Sequence, residues 1–269
     1  CEKACKINAI SMGESGAAEI DNNTCISCGA CVYQCPFGAI VDKSFILDVV
    51  DLIKKSENNT KYQLYAVIAP SISSQFSYAK LGQVITGIQE LGFFHVVEAA
   101  LGADMVAYEE CKELAEKGFL TSSCCPAFVD YIEKKFPQLT DHISHNLSPA
   151  ATIAKYIKDT TPGAKIVFIG PCTAKKMEFQ KEGLKDIIDS TITFEELQAL
   201  FDSRDIDLKS LEEGVLDNDS YYGRMFPRGG GVSGAGAGAL EGQGVALDRR
   251  ERRRDEARGR AACRLRRPP

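Results

Sequence analysis

Three things are scarce in this sequence: long apolar runs, arginine in its first part and lysine in its last. No run of eighteen apolar residues occurs, so no transmembrane helix is indicated. No signal peptide is visible either. Lysine is absent after Lys209, whereas ten of the 13 arginines lie in residues 248–269. These absences argue against a membrane span and mark an abrupt change of composition near the end of the chain.

The last part of the chain differs in kind from the rest. The Gly/Ala-rich stretch GGGVSGAGAGALEGQG precedes the arginines. A basic tail can bind nucleic acid, but no aromatic residue interleaves these arginines, and we expect no nucleic-acid partner. We interpret residues 231–269 as a low-complexity tail that is disordered or read out of frame. Because the chain begins at Cys1 and not at Met, we also expect that its natural N-terminus is missing.

Cysteine, by contrast, is abundant. Ten of the 11 cysteines precede residue 173, and four of them form the run C-x2-C-x2-C-x3-C-P between Cys25 and Pro36. In bacterial ferredoxins this run gives three ligands to one [4Fe–4S] cluster and a fourth to its neighbour. Zinc sites usually pair two CxxC units across a longer spacer. The run therefore predicts an iron–sulfur protein, and thiolates committed to clusters favour a reducing cytoplasm.

A second copy of the cysteine pattern begins at the first residue. Cys1 and Cys5 recur thirty residues later as Cys31 and Cys35, each time with an Ala-Ile pair four residues after the second cysteine. The repeat predicts a two-cluster ferredoxin-like module over residues 1–45, in which each half lends one ligand to the other cluster. One complete site would use Cys5, Cys25, Cys28 and Cys31. Cys1 and Cys35 would belong to a second, partial site.

After a helical connector, strands and helices alternate. Apolar runs at 64–69 and 165–169 are typical of buried parallel strands. Further strands are expected at 93–98 and 119–122, and helices at 81–91, 103–117, 127–136, 148–159 and from a Thr193–Glu196 capping box to 201. The expected architecture is an α+β ferredoxin-like module followed by an α/β domain with a parallel sheet over residues 60–230. Sites in such sheets form at the carboxyl ends of the strands.

Two cysteine-containing segments follow expected strands. The segment TSSCCPAF, residues 121–128, resembles the first signature of the [FeFe]-hydrogenase catalytic domain, and PCTAKKME, residues 171–178, resembles the second. The resemblance covers residues 1–230. It implies reversible reduction of protons to H2 at a [4Fe–4S] cluster bridged to a two-iron subsite that carries CO and CN⁻. It also implies a redox partner such as ferredoxin or another electron-transfer subunit.

The resemblance assigns roles by position. Cys125 and Cys172 correspond to ligands of the active-site cluster, and Cys124 to the thiol that passes protons to the two-iron subsite. Lys175 corresponds to the lysine that donates a hydrogen bond to a cyanide, and it counts among the expected catalytic residues.

Other positions correspond to the surroundings of that site. Pro70 and Ser71 match a loop that lines the other cyanide, and Ser148 matches a further pocket contact, although it is also an ordinary helix N-cap. Glu110 and Glu113, spaced i and i+3 on one helix, match the family's proton path together with Ser144. Most glutamate pairs on helices are simply solvated.

The chain departs from the family pattern in several places. Gly170 replaces a methionine, Phe128 stands where tryptophan is common, and Cys111 is an additional cysteine. The third motif, which supplies two more cysteines, is not found. Residues 221–232 resemble the approach to it, and only Cys263 follows. We therefore expect the catalytic domain to be incomplete and the chain as written to be inactive.

Two alternatives stay open. One is a non-catalytic, hydrogenase-like iron–sulfur assembly or sensor protein, and the other is a plain ferredoxin-type electron carrier. The complete CCP and PCxxK motifs favour a hydrogenase over a carrier, because a carrier needs no cyanide-binding lysine. The third motif in the intact gene would discriminate the hydrogenase from the assembly protein.

Overall fold

A computed structural model describes residues 2–218, 220 and 222–226 of the chain. Cys1, Cys263 and the whole of the tail from 231 to 269 lie outside the described residues, as does most of the stretch 221–232. Within the described part, no helix combines the length and the apolar character that crossing a bilayer requires.

The N-terminal module consists of short elements around the cysteine run. A 3-10 helix (Glu2–Ala4) precedes an antiparallel hairpin of β1 (Ile10–Met12) and β2 (Ala18–Ile20), and α1 (Ala30–Gln34) follows the first cysteines of the run. The two halves of the repeat share a local geometry. The N–H of Ala9 donates to the Cys5 sulfur at 3.1 Å, and the N–H of Ala39 donates to the Cys35 sulfur at 3.3 Å. The assignment of ligands to two clusters stays a prediction.

A parallel four-stranded sheet forms the centre of the larger part, as the alternating pattern predicted. Its strands lie in the order β4 (His95–Glu98), β3 (Leu64–Ile68), β5 (Lys165–Gly170) and β6 (Ser190–Thr193). Every residue of β3 is buried. Because successive side chains of a strand point to opposite faces, both faces of the sheet are covered.

Helices connect and cover the strands. Their bounds are α2 (Ile46–Lys55), α3 (Ile72–Gln75), α4 (Leu81–Glu90), α5 (Ala99–Lys117), α6 (Pro126–Lys135), α7 (Pro149–Thr160), α8 (Thr173–Glu178) and α9 (Phe194–Ser203). The predicted capping box at the start of α9 is confirmed. The Glu196 N–H donates to the Thr193 hydroxyl at 3.2 Å, and the Thr193 N–H donates to the Glu196 carboxylate at 2.7 Å. Helix α5 begins directly at the end of β4, four residues before the predicted start.

The strand expected at 119–122 is wrong. Only an isolated parallel bridge forms there, between Thr121 and Ile143. Strand β6 was missed, because its sequence STIT has none of the apolar run that marks β3 and β5. The bridge at Thr121 nevertheless matters for the site, since it holds the segment before the vicinal cysteines beside the segment that contains Ser144.

Helices α5 and α7 approach each other unusually closely. A Cβ atom at Gly102 would overlap the backbone carbonyl of Pro149, the first residue of α7. Glycine at this position therefore lets the backbones pack together. The contact fixes α5 beside the segment that leads into α7.

Replacing Gly102 by alanine should therefore destabilise the protein. Overpacking of this kind costs about 1–3 kcal/mol, against a gain of about 1 kcal/mol from the helix propensity of alanine. The added Cβ would overlap a backbone oxygen, which cannot move aside as a flexible side chain can, so the cost lies at the upper end of this range. We expect the free energy of unfolding, measured by urea titration under reducing conditions, to fall by about 2 kcal/mol. Gly13→Ala is the control, because a Cβ at that position meets only the flexible Glu19 side chain. An unchanged urea midpoint for Gly102→Ala would contradict the close contact.

Candidate functional site

Four cysteines of the N-terminal module line one cavity of about 230 Å³. They are the four predicted as a complete set: Cys5, Cys25, Cys28 and Cys31. Apolar side chains such as Ile7, Ile10 and Val32 supply much of the remaining wall. Among the described residues, no three His, Cys, Asp or Glu side chains are grouped so that they could hold a single metal ion. The four cysteine residues line the same cavity, and both their number and the apolar wall fit a [4Fe–4S] cluster.

The backbone of the cysteine loop is tightly turned. Ser27 and Gly29 both have left-handed backbone conformations, with φ of 55° and 75°. The Ser27 N–H donates to the Cys25 sulfur at 3.3 Å. A side chain at Gly29 would also collide with the Thr173 hydroxyl, 2.8 Å from the position of its Cβ. Glycine is needed here for conformation and for space.

The cysteine loop contacts the two helices that begin within the segments 121–128 and 171–178, α6 and α8. The Thr173 hydroxyl, in the first turn of α8, donates to the Ser27 carbonyl at 2.9 Å. From α6, the Lys134 ammonium donates to the Cys25 carbonyl at 2.6 Å. The first cluster site therefore lies against the elements that carry the second set of cysteines.

Cys125 and Cys172 occupy equivalent positions. Each is the N-cap residue of a short helix, α6 for Cys125 and α8 for Cys172, and these two helices pack against each other. Cys172 also follows β5 at the carboxyl edge of the sheet, where the sequence placed it. Helix N-termini stabilise thiolates, so both positions suit cluster ligation.

Lys175 is buried beside these cysteines. Its ammonium lies 2.6 Å from the Glu178 carboxylate, one turn further along α8. The positive charge of Lys175 acts to lower the pKa of the Cys124 thiol, although burial is the largest effect and raises that pKa overall. Sequence reasoning missed Glu178, which its i, i+3 spacing within PCTAKKME could have indicated.

The remaining predicted pocket residues lie at the same edge or close to it. Pro70 and Ser71 follow β3, and the neighbouring Ala69 N–H donates to the Ile169 carbonyl of β5 at 2.8 Å. Ser148 is the N-cap of α7, and its hydroxyl accepts the Ala151 N–H at 3.4 Å. This serine has a capping role, and its contact with a cofactor stays a prediction.

Glu110 is connected to the vicinal cysteines through a serine that the sequence did not single out. The Ser122 hydroxyl donates to the Glu110 carboxylate at 2.8 Å and accepts the Cys124 N–H at 3.3 Å. The only hint in the sequence is that Ser122 stands two residues before Cys124. Its contact with α5 depends on the fold.

Glu113 and its partners extend this set of hydrogen-bonding side chains from Glu110 to the surface. The Ser144 hydroxyl donates to the Glu113 carboxylate at 3.0 Å. The His145 ring nitrogen Nδ1 lies 2.8 Å from the same carboxylate, and the His145 side chain is 77% exposed. His145 was also missed. Ser144 also interacts with the Glu110 carboxylate, and this interaction acts to lower the pKa of Glu110. The row of side chains between His145 and the loop of Cys124 therefore consists of Glu113, Ser144, Glu110 and Ser122.

The two glutamates differ in their acidity. Burial raises the pKa of Glu110, and the negative charge of Glu113 adds to this effect against hydrogen bonds from Ser122, Ser123 and Ser144. For Glu113 burial acts in the same direction, but Lys117, the His145 N–H and Ser144 outweigh it and lower the pKa. The inner carboxyl therefore holds a proton more readily than the outer one, which suits a relay.

Ser220 and residues 222–226 are bound to side chains at the start of α5 and at the end of β4. Asp104 accepts hydrogen bonds from the Ser220 hydroxyl at 2.7 Å and from the backbone N–H of Gly223 at 2.6 Å. Arg224 binds the buried Glu98 carboxylate through Nε and Nη2. Glu98 ends β4, so this segment too lies at the carboxyl edge of the sheet.

The fold and the cysteine arrangement define an iron–sulfur protein with an α/β domain. The family described as "Iron only hydrogenase large subunit, C-terminal domain" matches residues 62–258, and a "4Fe-4S binding domain" matches residues 18–41. The chain belongs to the iron-only hydrogenase large-subunit family.

The chain is similar to three curated relatives of different description. It is 30% identical to iron hydrogenase 1 of Clostridium pasteurianum, over 75% of this chain and 38% of the relative. It is 30% identical to the periplasmic [Fe] hydrogenase large subunit of Nitratidesulfovibrio vulgaris, over 74% of this chain and 61% of the relative. It is 36% identical to the cytosolic Fe-S cluster assembly factor NAR1 of Botryotinia fuckeliana, over 45% of this chain and 25% of the relative. The chain thus spans less than two thirds of each of these relatives.

A solved structure supports the same fold. A variant of [FeFe]-hydrogenase HydA1 from Chlamydomonas reinhardtii superposes with a TM-score of 0.62 at 26% identity, covering 74% of this chain and 58% of the enzyme.

Substitution of one cavity cysteine should remove the first cluster. Cys28→Ser should lower the iron content and change or abolish the EPR signal of this cluster after anaerobic reconstitution, because a serine hydroxyl is a much weaker iron ligand than a thiolate. Cys35→Ser is the matched control, since Cys35 belongs to the same run but does not line the cavity. Equal iron content and unchanged spectra for Cys28→Ser and the wild type would refute the ligand set.

The pKa of Glu110 predicts a pH dependence of stability. A carboxyl whose pKa is raised on folding stabilises the protein below the unfolded value, 4.5, and this stabilisation is lost as the pH rises through the folded pKa. Glu110→Gln does not titrate, so its stability relative to the wild type should increase over that interval. Urea titrations at several pH values measure this difference. Glu109→Gln, at an exposed position of the same helix, should show no such trend.

Proposed function

We propose that this chain carries the site of an [FeFe]-hydrogenase-type oxidoreductase, which reversibly reduces protons to H2. The observation that carries the proposal is the row of hydrogen-bonding side chains between the exposed His145 and the loop of Cys124. Hydrogen chemistry requires such a path, because a buried thiol exchanges protons poorly with water. A plain electron carrier has no use for it.

Electrons enter through the first cluster in this proposal. Cys5, Cys25, Cys28 and Cys31 hold a [4Fe–4S] cluster that accepts electrons from a ferredoxin or another electron-transfer subunit. The contact between the Ser27 carbonyl and Thr173 brings this cluster next to Cys172. A second ferredoxin-type site with Cys1 and Cys35 remains part of the proposal.

Protons enter through the row of side chains. Glu113 exchanges protons with solvent beside His145, and the hydroxyls of Ser144 and Ser122 each give one proton and accept another. Glu110, with its raised pKa, delivers the proton to the region of Cys124. The Cys124 thiol is itself kept protonated by burial.

The active-site group would be held by Cys125 and Cys172. When bound, a cluster with a two-iron CO/CN⁻ subsite supplies the centre at which protons and electrons combine. Lys175 would donate a hydrogen bond to one cyanide, and it must share its charge with Glu178 to do so. Pro70, Ser71 and Ser148 would line the pocket.

A non-catalytic assembly function is the second candidate. The similarity to the cytosolic assembly factor favours it. In that function the cluster sites would hold or transfer iron–sulfur groups without hydrogen turnover. For either function we place the chain in the cytoplasm, because thiolates committed to clusters favour a reducing compartment. The relatives include both a cytosolic and a periplasmic protein, so the placement rests on the chemistry of the thiolates and not on similarity.

The proton path can be tested in a form of the protein whose reading frame supplies the two missing thiolates. Cys124→Ala should lower hydrogen evolution by about 10²–10⁴-fold, the loss expected for a positioned proton carrier. Glu113→Gln should lower it to a lesser degree. Both should keep the CO and CN⁻ infrared bands after maturation with a synthetic two-iron precursor. Glu109→Gln is the control on the same helix. Near-normal turnover of Cys124→Ala would refute its role.

The chain as printed should not evolve hydrogen. Cys125 and Cys172 provide two of the four thiolates that the active-site cluster requires, and Cys263 alone cannot replace the other two. We expect the EPR signal of the first cluster without CO and CN⁻ bands. Hydrogen evolution above a control lacking the precursor would contradict this. In the full-length protein, intact EPR signals of the clusters without CO and CN⁻ infrared bands and without hydrogen evolution would favour the assembly function.

A further inference from the structure

Helix α8 carries a second lysine in a buried charge cluster that the proposed function does not use. Lys176 is only 3% exposed. Its ammonium lies 2.6 Å from the Asp42 carboxylate and 2.7 Å from the Glu196 carboxylate, and it donates to the Lys43 carbonyl at 3.1 Å. A buried ammonium requires such partners, because its desolvation is costly.

The partners of Lys176 come from separate parts of the chain. Asp42 and Lys43 belong to the segment that follows the cysteine run, whereas Glu196 belongs to the capping box of α9. Lys176 therefore ties the N-terminal module to the α/β domain at one point. Removal of its side chain would leave two carboxylates facing each other without a counter-ion.

Lys176 also forms part of the wall around the first cluster site. Together with Thr173, Asp42 and Phe45, it lines the cavity of the four cysteines. Thr173 and Lys176 are three residues apart and thus share one face of α8. One face of this helix accordingly supports the loop of the cluster and contributes Lys176 to the wall of its cavity.

We propose that Lys176 sets the reduction potential of the [4Fe–4S] cluster held by Cys5, Cys25, Cys28 and Cys31. The cluster gains one electron on reduction, and its negative charge increases by one. A nearby ammonium in a partly buried site stabilises this added charge, whereas Asp42 and Glu196 oppose it. This inference rests on the proposed cluster site and is independent of hydrogen turnover.

Two substitutions should shift the potential in opposite directions. In Lys176→Met the cation is lost, and the oxidised-to-reduced ratio at a fixed potential should rise at least tenfold, which is about 59 mV for a one-electron couple. In Asp42→Asn an anion is lost, and the ratio should fall. Lys176→Arg retains the charge, so its oxidised-to-reduced ratio at the same potential should stay within about threefold of the wild-type ratio. On the scale of about 59 mV for a tenfold ratio, this is less than half of the shift expected for Lys176→Met.

The experiment is an anaerobic redox titration of the reconstituted full chain, followed by EPR. Lys181→Met is the matched control, because Lys181 also pairs with an aspartate, Asp130 at 2.6 Å, but does not line the cavity. The reduction potential of the cluster in Lys181→Met should equal that in the wild type. A role of Lys176 in packing alone would change stability and leave the potential of Lys176→Met unchanged.

Iron content and EPR amplitude separate the two possible failures. If the wild type binds no cluster that depends on Cys28, the proposed site is wrong and the inference with it. If the cluster is bound but Lys176→Met and Asp42→Asn both keep the wild-type potential, the inference alone is overturned. Should Lys176→Met fail to fold, Asp42→Asn decides the question, since the Asp42 side chain is 31% exposed and tolerates the change.

Discussion

The six-residue helix α8 is the element on which both sites depend. It begins at Thr173, directly after its N-cap residue Cys172, which stands two residues beyond the end of β5. Its two faces serve different sites. Thr173 and Lys176 contact the loop and the cavity of the first cluster, whereas Lys175 and Glu178 form a buried pair beside the vicinal cysteines. Because a helix of this length has little stability of its own, its position depends on these contacts.

The proton row depends on the close approach of α5 to the segment before α7. Gly102 allows the helix backbones to pack, and the isolated bridge at Thr121 brings the serines of that region next to Glu110 and Glu113. The inner glutamate is buried and its pKa is raised, while the outer one is paired with Lys117 and reaches solvent beside His145. Acidity therefore changes along the row according to burial and local charge.

Much of the fold could be predicted from local patterns. The apolar runs of β3 and β5 and the capping box of α9 carry their own signals, and they were correct. Strand β6 was missed because STIT lacks an apolar run, and the expected strand at 119–122 was wrong because no strand pairs with it beyond one bridge.

For the first cluster site, the spacing of the cysteines predicted a set of four ligands, and the same four cysteines line one cavity. The partners across the fold could not be predicted. Ser122 to Glu110, Lys176 to Asp42 and Thr173 to Ser27 are contacts between distant segments, and no periodicity or motif encodes them.

The anchoring of Ser220 and residues 222–226 has a consequence that depends on the strand order. Asp104 and Glu98 hold these residues at the carboxyl edge of the sheet, the edge that also bears Cys172. In the order β4, β3, β5, the strand that ends at Glu98 lies two positions from the strand that precedes Cys172, a distance of about 10 Å. Each further residue extends the chain by at most about 3.6 Å. A few residues are therefore enough to span this distance, and the conformational entropy lost in closing so short a loop is small.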